Sequence, residues 1–226
     1  MNAQLTIPDP VDPCQIWRPR LIALAQSVTG NDGAHDVDHL HRVWKTAETL
    51  LADYPEADSQ VVLAACYLHD IVNLPKNDAY RHTASRQAAL VACGRLKEAG
   101  FPEERLDAVA HAIEAHSFSA GIPPETIEAR IVQDADRLDA LGAVGLARLF
   151  YTAGRMGSAL AHPTDPLAHA RTPDDQTYAL DHIEQKLATL PGSMKTEAGR
   201  RLGESRLAWL RAFRETFTSE WGCREP

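Results

Sequence analysis

Three apolar stretches of this chain carry polar residues where a helix core would not want them. In VVLAACYLHDIVNLPKND, residues 61–78, Ala64 to Leu68 run without a polar side chain into His69 and Asp70. An unpaired carboxylate buried there costs on the order of a domain's whole stability margin, so Asp70 must be neutralised, hydrogen-bonded or bound to a metal. Neighbours on a helix point about 100° apart, yet they can converge on one ion where the helix ends. In VQDADRLDALGAVGLARLF, residues 132–150, Asp136 precedes Ala140 by one turn, with Ala143 and Ala147 on the same side. The stretch is apolar nearly all round and reads as a central, buried helix. Asp134 and Asp139 lie at other angles, and either is the solvated member of the cluster. In HDVDHLHRVWKTAETLL, residues 35–51, His39 shares an inward stripe with Val43, Thr46 and Ala47. His41 falls on another face and is expected to be exposed. Arg42, three residues after His39, can flank whatever His39 touches. Two imidazoles and two carboxylates form a natural donor set for one divalent ion. Such a mixed set suits Mn, Fe, Co, Ni or Zn better than Ca and leaves Mg open; Mn is favoured.

The elements that must position these residues are helical almost throughout. Apolar periodicity predicts a first helix through Ile16, Leu21, Leu24 and Val28, then helices over about 36–53, 59–72, 81–99 and 103–116. Residues 126–154 read as one long helix or two sharing a bend, and helices over 176–190 and 196–220 close the chain. No stretch alternates apolar and polar residues, so the expected fold class is all-α. No linker or repeat divides the chain, which predicts a single domain over residues 1–226. One long loop, GRMGSALAHPTDPLAHARTPDDQ, is of the kind that serves a site, forms an interface or lacks order.

The bulk numbers exclude several classes. A formal net charge of -8 argues against a general nucleic-acid or anionic-membrane surface, though not against a local basic pocket. Cys14, Cys66, Cys93 and Cys223 form no C-x-x-C pair and read as free thiols of a reducing compartment. The N-terminus lacks the basic and apolar regions of a signal peptide, and the longest apolar run is too short to span a bilayer. A cytoplasmic location is expected. The sequence sets no oligomeric state and leaves a homo-oligomer open.

His39, the His69-Asp70 doublet and Asp136 match, in order and rough spacing, the H…HD…D signature of the HD-domain metal-dependent phosphohydrolases. HDVDHLHRV resembles the first motif of that family, YLHDI the second and DADRLDA the last, over about residues 30–150. The tail, with ALDHIEQKLATLP, is similar to a bacterial subgroup of small stand-alone HD hydrolases. The resemblance implies an all-helical domain, a divalent metal held by His39, His69, Asp70 and Asp136, and hydrolysis of phosphate esters or anhydrides, often in nucleotides. Four protein ligands leave about two positions on a six-coordinate ion, for water and for a phosphoryl oxygen.

The match also has departures. One branch of the family carries a water-activating glutamate three residues after the HD aspartate; here that residue is Asn73, which cannot take a proton. Metal-bound hydroxide, aided by Asp70, would then be the base. Branches with two metals use further histidines, and His82, His111 and His116 are available. His111 and His116 lie about 140° apart on a helix and would not face one ion, so one metal is expected. Lys76, six residues beyond Asp70, is placed to hold a phosphate. Arg42 and Arg137 are further candidate substrate contacts, and His116 at its helix end is a candidate proton donor. The expected function is a metal-dependent phosphohydrolase acting on a small phosphorylated substrate, a nucleotide by preference. The rival is a regulatory protein that senses a nucleotide at the metal pocket without turnover, and a third reading is an HD-like oxygenase with two irons.

Overall fold

A computed structural model describes residues 12–27, 37–72, 74, 78 and 80–222. Asn73, Lys76 and Cys223 lie outside the described residues. The fold is all-α. Helix α1 spans Pro13–Gln26, α2 Val37–Leu51, α3 Ser59–Leu68, α4 Ala84–Glu98, α5 Leu106–His116 and α6 Ile127–Leu138. Helix α7 spans Gly142–Met156, the short α8 and α9 Asp181–Gln185 and Leu190–Ser193, and α10 Glu197–Glu220. Among the described residues the nearest approach to a sheet is one isolated bridge between Ala159 and Tyr178.

Helix α3 is the centre of the fold because its sequence leaves it no wet face. Every residue from Gln60 to Leu68 is buried, and α1, α2, α5 and α6 pack around it. Burial of each Val or Leu there contributes roughly 1.5–3 kcal/mol. Asp58 caps its N-terminus, accepting from the backbone N–H groups of Gln60 and Val61. Its C-terminal end delivers His69 and Asp70 to the middle of the bundle.

The stretch 126–154 forms two helices, and the reason is local. Leu141 is extended and Gly142 has φ +76°, a left-handed conformation that a glycine adopts freely. The turn at 139–141 resets the helix axis, so a face counted forward from Asp136 does not continue through it. Of the two, α6 is the buried helix; in α7, Gly142, Gly145 and Leu146 are buried while Ala143 and Ala147 are exposed. The expected central helix therefore ends at Leu138. The helix expected over 176–190 is also shorter. Residues 176–180 are drawn into loop pairing instead, with Ala159 N–H donating to Thr177 and Ala179 N–H donating to Ala159.

Candidate metal centre

Four helices bring their ends to one point: the first turn of α2 supplies His39, the end of α3 supplies His69 and Asp70, the end of α5 supplies His116, and the last turn of α6 supplies Asp136. The approach distances are His39 Nε2 to Asp136 Oδ1 3.4 Å, His69 Nε2 to Asp70 Oδ2 3.5 Å and to Asp136 Oδ1 3.7 Å, and His116 Nε2 to Asp70 Oδ1 3.7 Å. The His69 ring stands 5.5 Å from that of His39 and 4.8 Å from that of His116. The three imidazoles are buried, while the Asp70 and Asp136 side chains keep 20% and 27% exposure, so the cluster has an open side.

The other ring nitrogens show what the Nε2 atoms are for. His69 Nδ1–H donates to the Cys66 carbonyl at 2.9 Å, and His116 Nδ1–H donates to the Ile113 carbonyl at 2.5 Å. His39 Nδ1–H donates to Asp139 Oδ2 at 2.8 Å. A carbonyl or carboxylate only accepts, so each Nδ1 carries a proton, and in the neutral ring each Nε2 then turns a lone pair toward the others. His69 Nε2 is buried with no hydrogen-bond partner, which in a protein interior demands an explanation. At 3.4–3.7 Å the spacings between these atoms are at or beyond the long end of hydrogen bonding. They suit atoms sharing an ion, since ligands about 2.1 Å from a common centre stand about 3–3.5 Å apart. His39, His69 and Asp70, and likewise His69, His116 and Asp136, place ligand atoms within 4.8 Å of one another. The residues fit a divalent metal.

Titration behaviour follows the same geometry. Burial opposes charging of His39, but Asp136 and Asp139 outweigh it and push its pKa up to about 9. Burial keeps His69 low, against the pull of Asp70. Burial also opposes charging of His116, yet Asp70 and Asp136 raise it. Asp136 is held down at about 2 despite burial, chiefly because His39 donates to it, with the facing imidazoles adding to the effect.

Asp139 supports the centre from behind. It is buried, and besides His39 it accepts from Arg42 Nε at 2.8 Å and Arg42 Nη2 at 3.1 Å, and it pairs with Arg148. A carboxylate fixed by two guanidiniums and accepting from the Nδ1–H of a histidine is the usual outer partner of a metal site. Asp139 is thus not solvated. Asp134 is not solvated either: fully buried, it accepts from the backbone N–H groups of Lys195 and Thr196 and from the Thr196 hydroxyl, and ties α6 to the start of α10. His41 is half-buried, not exposed, with Nδ1 2.8 Å from the Tyr67 hydroxyl, because Tyr67 is buried across the α2–α3 contact.

The remaining sequence candidates divide. Arg42 engages Asp139 with both faces of its fork. Arg137 stands beside Asp136, its Nη1 donating at 3.4 Å to Ser193 and its guanidinium 5.9 Å from the Phe118 ring. His111 turns away, its Nε2 accepting from Glu125 N–H at 3.0 Å, while His116 enters the cluster. His82 is exposed. The sequence reading missed Arg148 and Gln133, whose amide donates to the Ala115 carbonyl at 2.6 Å and fixes the end of α5 beside His116. Arg148 interrupts an otherwise apolar run, and that interruption was the available signal.

The HD domain family model matches residues 36–141, from just before α2 to the turn after α6. YpgQ of Bacillus subtilis is 33% identical over 190 residues, covering 82% of this chain and 84% of its own. The chain belongs to the HD-domain family. A crystal structure of YpgQ in complex with ADP superposes with TM-score 0.67 at 29% identity, covering 93% of this chain and 98% of that one. An HD-superfamily hydrolase from Bacillus thuringiensis superposes with TM-score 0.71 at 29% identity, covering 93% and 100%. The HD-family likeness thus extends through α7 to α10, beyond the matched motifs. No helix among the described residues is long and apolar enough to cross a membrane.

Proposed function

We propose that this chain is a metal-dependent phosphohydrolase whose substrate is a small phosphorylated molecule, by preference a nucleotide. The observation that carries the reading is His69 Nε2, a buried lone pair without a partner, facing Asp70 and Asp136 while Nδ1 is tied to the Cys66 carbonyl. His39, His69, Asp70 and Asp136 would hold one divalent ion, of the Mn, Co, Ni, Fe, Zn or Mg group. When bound, that ion supplies Lewis acidity toward a phosphoryl oxygen and lowers the pKa of water.

The chain's own residues do the rest. Asp139, anchored by Arg42 and Arg148, fixes the His39 ring and its tautomer. Asp70, partly exposed on the open side, accepts a proton from the attacking water as the water oxygen bonds to phosphorus and the bond from phosphorus to the leaving oxygen breaks. His116 carries a proton more readily than a free histidine, because Asp70 and Asp136 face it, and it delivers that proton to the leaving oxygen. Arg137, the neighbour of Asp136, and Lys76 are the substrate phosphate contacts in this reading. The ADP complex of YpgQ supports a nucleotide as the substrate class.

Turnover of a nucleoside mono-, di- and triphosphate panel with Mn or Co tests the proposal. Release of phosphate or pyrophosphate that depends on the metal is the expected result. Thermal stabilisation by nucleotides without any product would instead make this a sensor.

A further inference from the structure

The long segment between α7 and α8 is a built wall. Asp165 accepts from His169 and Ala170 N–H groups, each at 2.9 Å, closing one turn. Arg171 grips the buried Asp181 with two donors at 2.5 and 2.7 Å, and Asp174 N–H adds a third at 2.7 Å. Arg214 of α10 holds the Leu167 carbonyl at 2.9 Å. Ordering so many residues without regular structure has a large entropic cost, and the two ends of the segment, at Ser158 and at Asp175, Gln176 and Ala179, line an open cavity.

The cavity has a volume of about 480 Å³ and lies between α7 and residues 158–187. That size is in the range of roughly 300–1,000 Å³ common for small-molecule sites. Leu149, Ala153, Met156 and Leu187 supply apolar wall, with a thioether suited to the face or edge of an aromatic ring. Arg148, His182, Lys186 and the Asp175 carboxylate are among its polar groups. Asp175 accepts from His182 Nδ1 at 2.8 Å and Lys186 Nζ at 2.6 Å and so holds both in place. The Lys186 side chain is 53% exposed, and its long stem can turn the ammonium from Asp175 to an incoming anion.

The position of the cavity separates it from the metal centre. The His39 ring turns Nε2 to Asp136 and Nδ1 to Asp139. Arg148 sits on the far carboxylate, Asp139, and lines the cavity. The chain His39–Asp139–Arg148 therefore stands between the two. We propose that this cavity is a second small-molecule site, taking an anion of the mononucleotide class with its ring on the apolar wall and its phosphate toward Lys186 and Arg148. A ligand there touches, through Arg148, the carboxylate that orients His39.

Calorimetric titration of the Mn-loaded chain with the α,β-methylene analogue of ADP, which has no hydrolysable anhydride, tests this. A site is expected whose affinity falls at least tenfold in Lys186→Ala and in Ala153→Trp, the latter filling the wall, and stays within twofold in Asp136→Asn. Lys186→Ala decides the matter where the bulkier variant does not fold. Absence of any such site overturns the proposal, as does a single site weakened by Asp136→Asn and Lys186→Ala alike, which would make cavity and centre one. A cavity site without any site sensitive to Asp136→Asn would support this inference while counting against a nucleotide at the metal centre.

Discussion

His69 is the residue on which the centre turns, because its two nitrogens have opposite fates. One is committed to the backbone of its own helix and the other faces two carboxylates with nothing bonded to it. His116 shares the backbone anchor but stands on the Asp70 side, away from His39. Replacing His116 with Asn is expected to lower kcat more than it changes KM while metal content stays near that of the wild type; loss of the metal instead would make His116 a ligand. Asp134 and Asp136 make a second contrast within three residues. Asp136→Asn should cost at least about two orders of magnitude in rate, roughly 3 kcal/mol of barrier, with the fold retained. Asp134→Asn turns an amide toward the Lys195 and Thr196 donors and is expected to lower stability by about 1–3 kcal/mol, leaving turnover of the folded chain nearly intact. Rates and thermal melts of both variants check this. The third contrast is with pH. The His39 pKa is raised above its unfolded value of about 6.5 to about 9 in the metal-free chain. Its contribution to stability is therefore fully present below about pH 6.5 and is lost as pH rises through 9. A metal needs the same nitrogen deprotonated, so metal affinity should rise over that interval; titrations at pH 6.5 and 9 giving equal affinities would contradict it. These positions were legible in the sequence because polar residues in apolar runs have few uses. The partner of each was not: that Asp139 rather than solvent faces Arg42, or that Asp134 holds the segment leading into α10, depends on contacts 61 to 97 residues apart.

Helices were readable where one face or every face is apolar, as in α2, α3 and α10, and less so where a turn resets the register. The α6–α7 break shows why. Residues 132–150 contain no proline, and the stop comes from Gly142 at positive φ together with Arg206, which donates to the Leu138 carbonyl at 2.6 Å and satisfies the end of α6. Periodicity alone does not foresee a donor arriving from α10. The break also brings the Ala140 carbonyl against Gly145, where an added Cβ would lie 2.2 Å from that oxygen. Gly145→Ala is expected to destabilise the chain by about 1–3 kcal/mol and to loosen Arg148 from Asp139. A thermal melt reads the first effect and a fall in metal affinity reads the second; an unchanged melt would contradict the packing described. The shortening of the helix expected over 176–190 has the same origin, since Asp181 is taken by Arg171 and the bridge at Ala159 takes the backbone that a helix would need.

At the scale of the whole molecule, the bundle is an arrangement for bringing the C-terminal ends of α3, α5 and α6 and the first turn of α2 to one point. The wholly buried α3 makes that possible, since a helix without a wet face can carry its last residues into the interior. The negative net charge fits a substrate drawn in by a metal and a few rim cations rather than by the surface field. Everything proposed for turnover rests on the ion at that point. Elemental analysis of the purified chain and of His69→Ala tests it most directly. About one divalent ion per chain in the wild type, reduced to a small fraction in a folded His69→Ala, is the predicted result. Undiminished metal in that variant would contradict the centre as described.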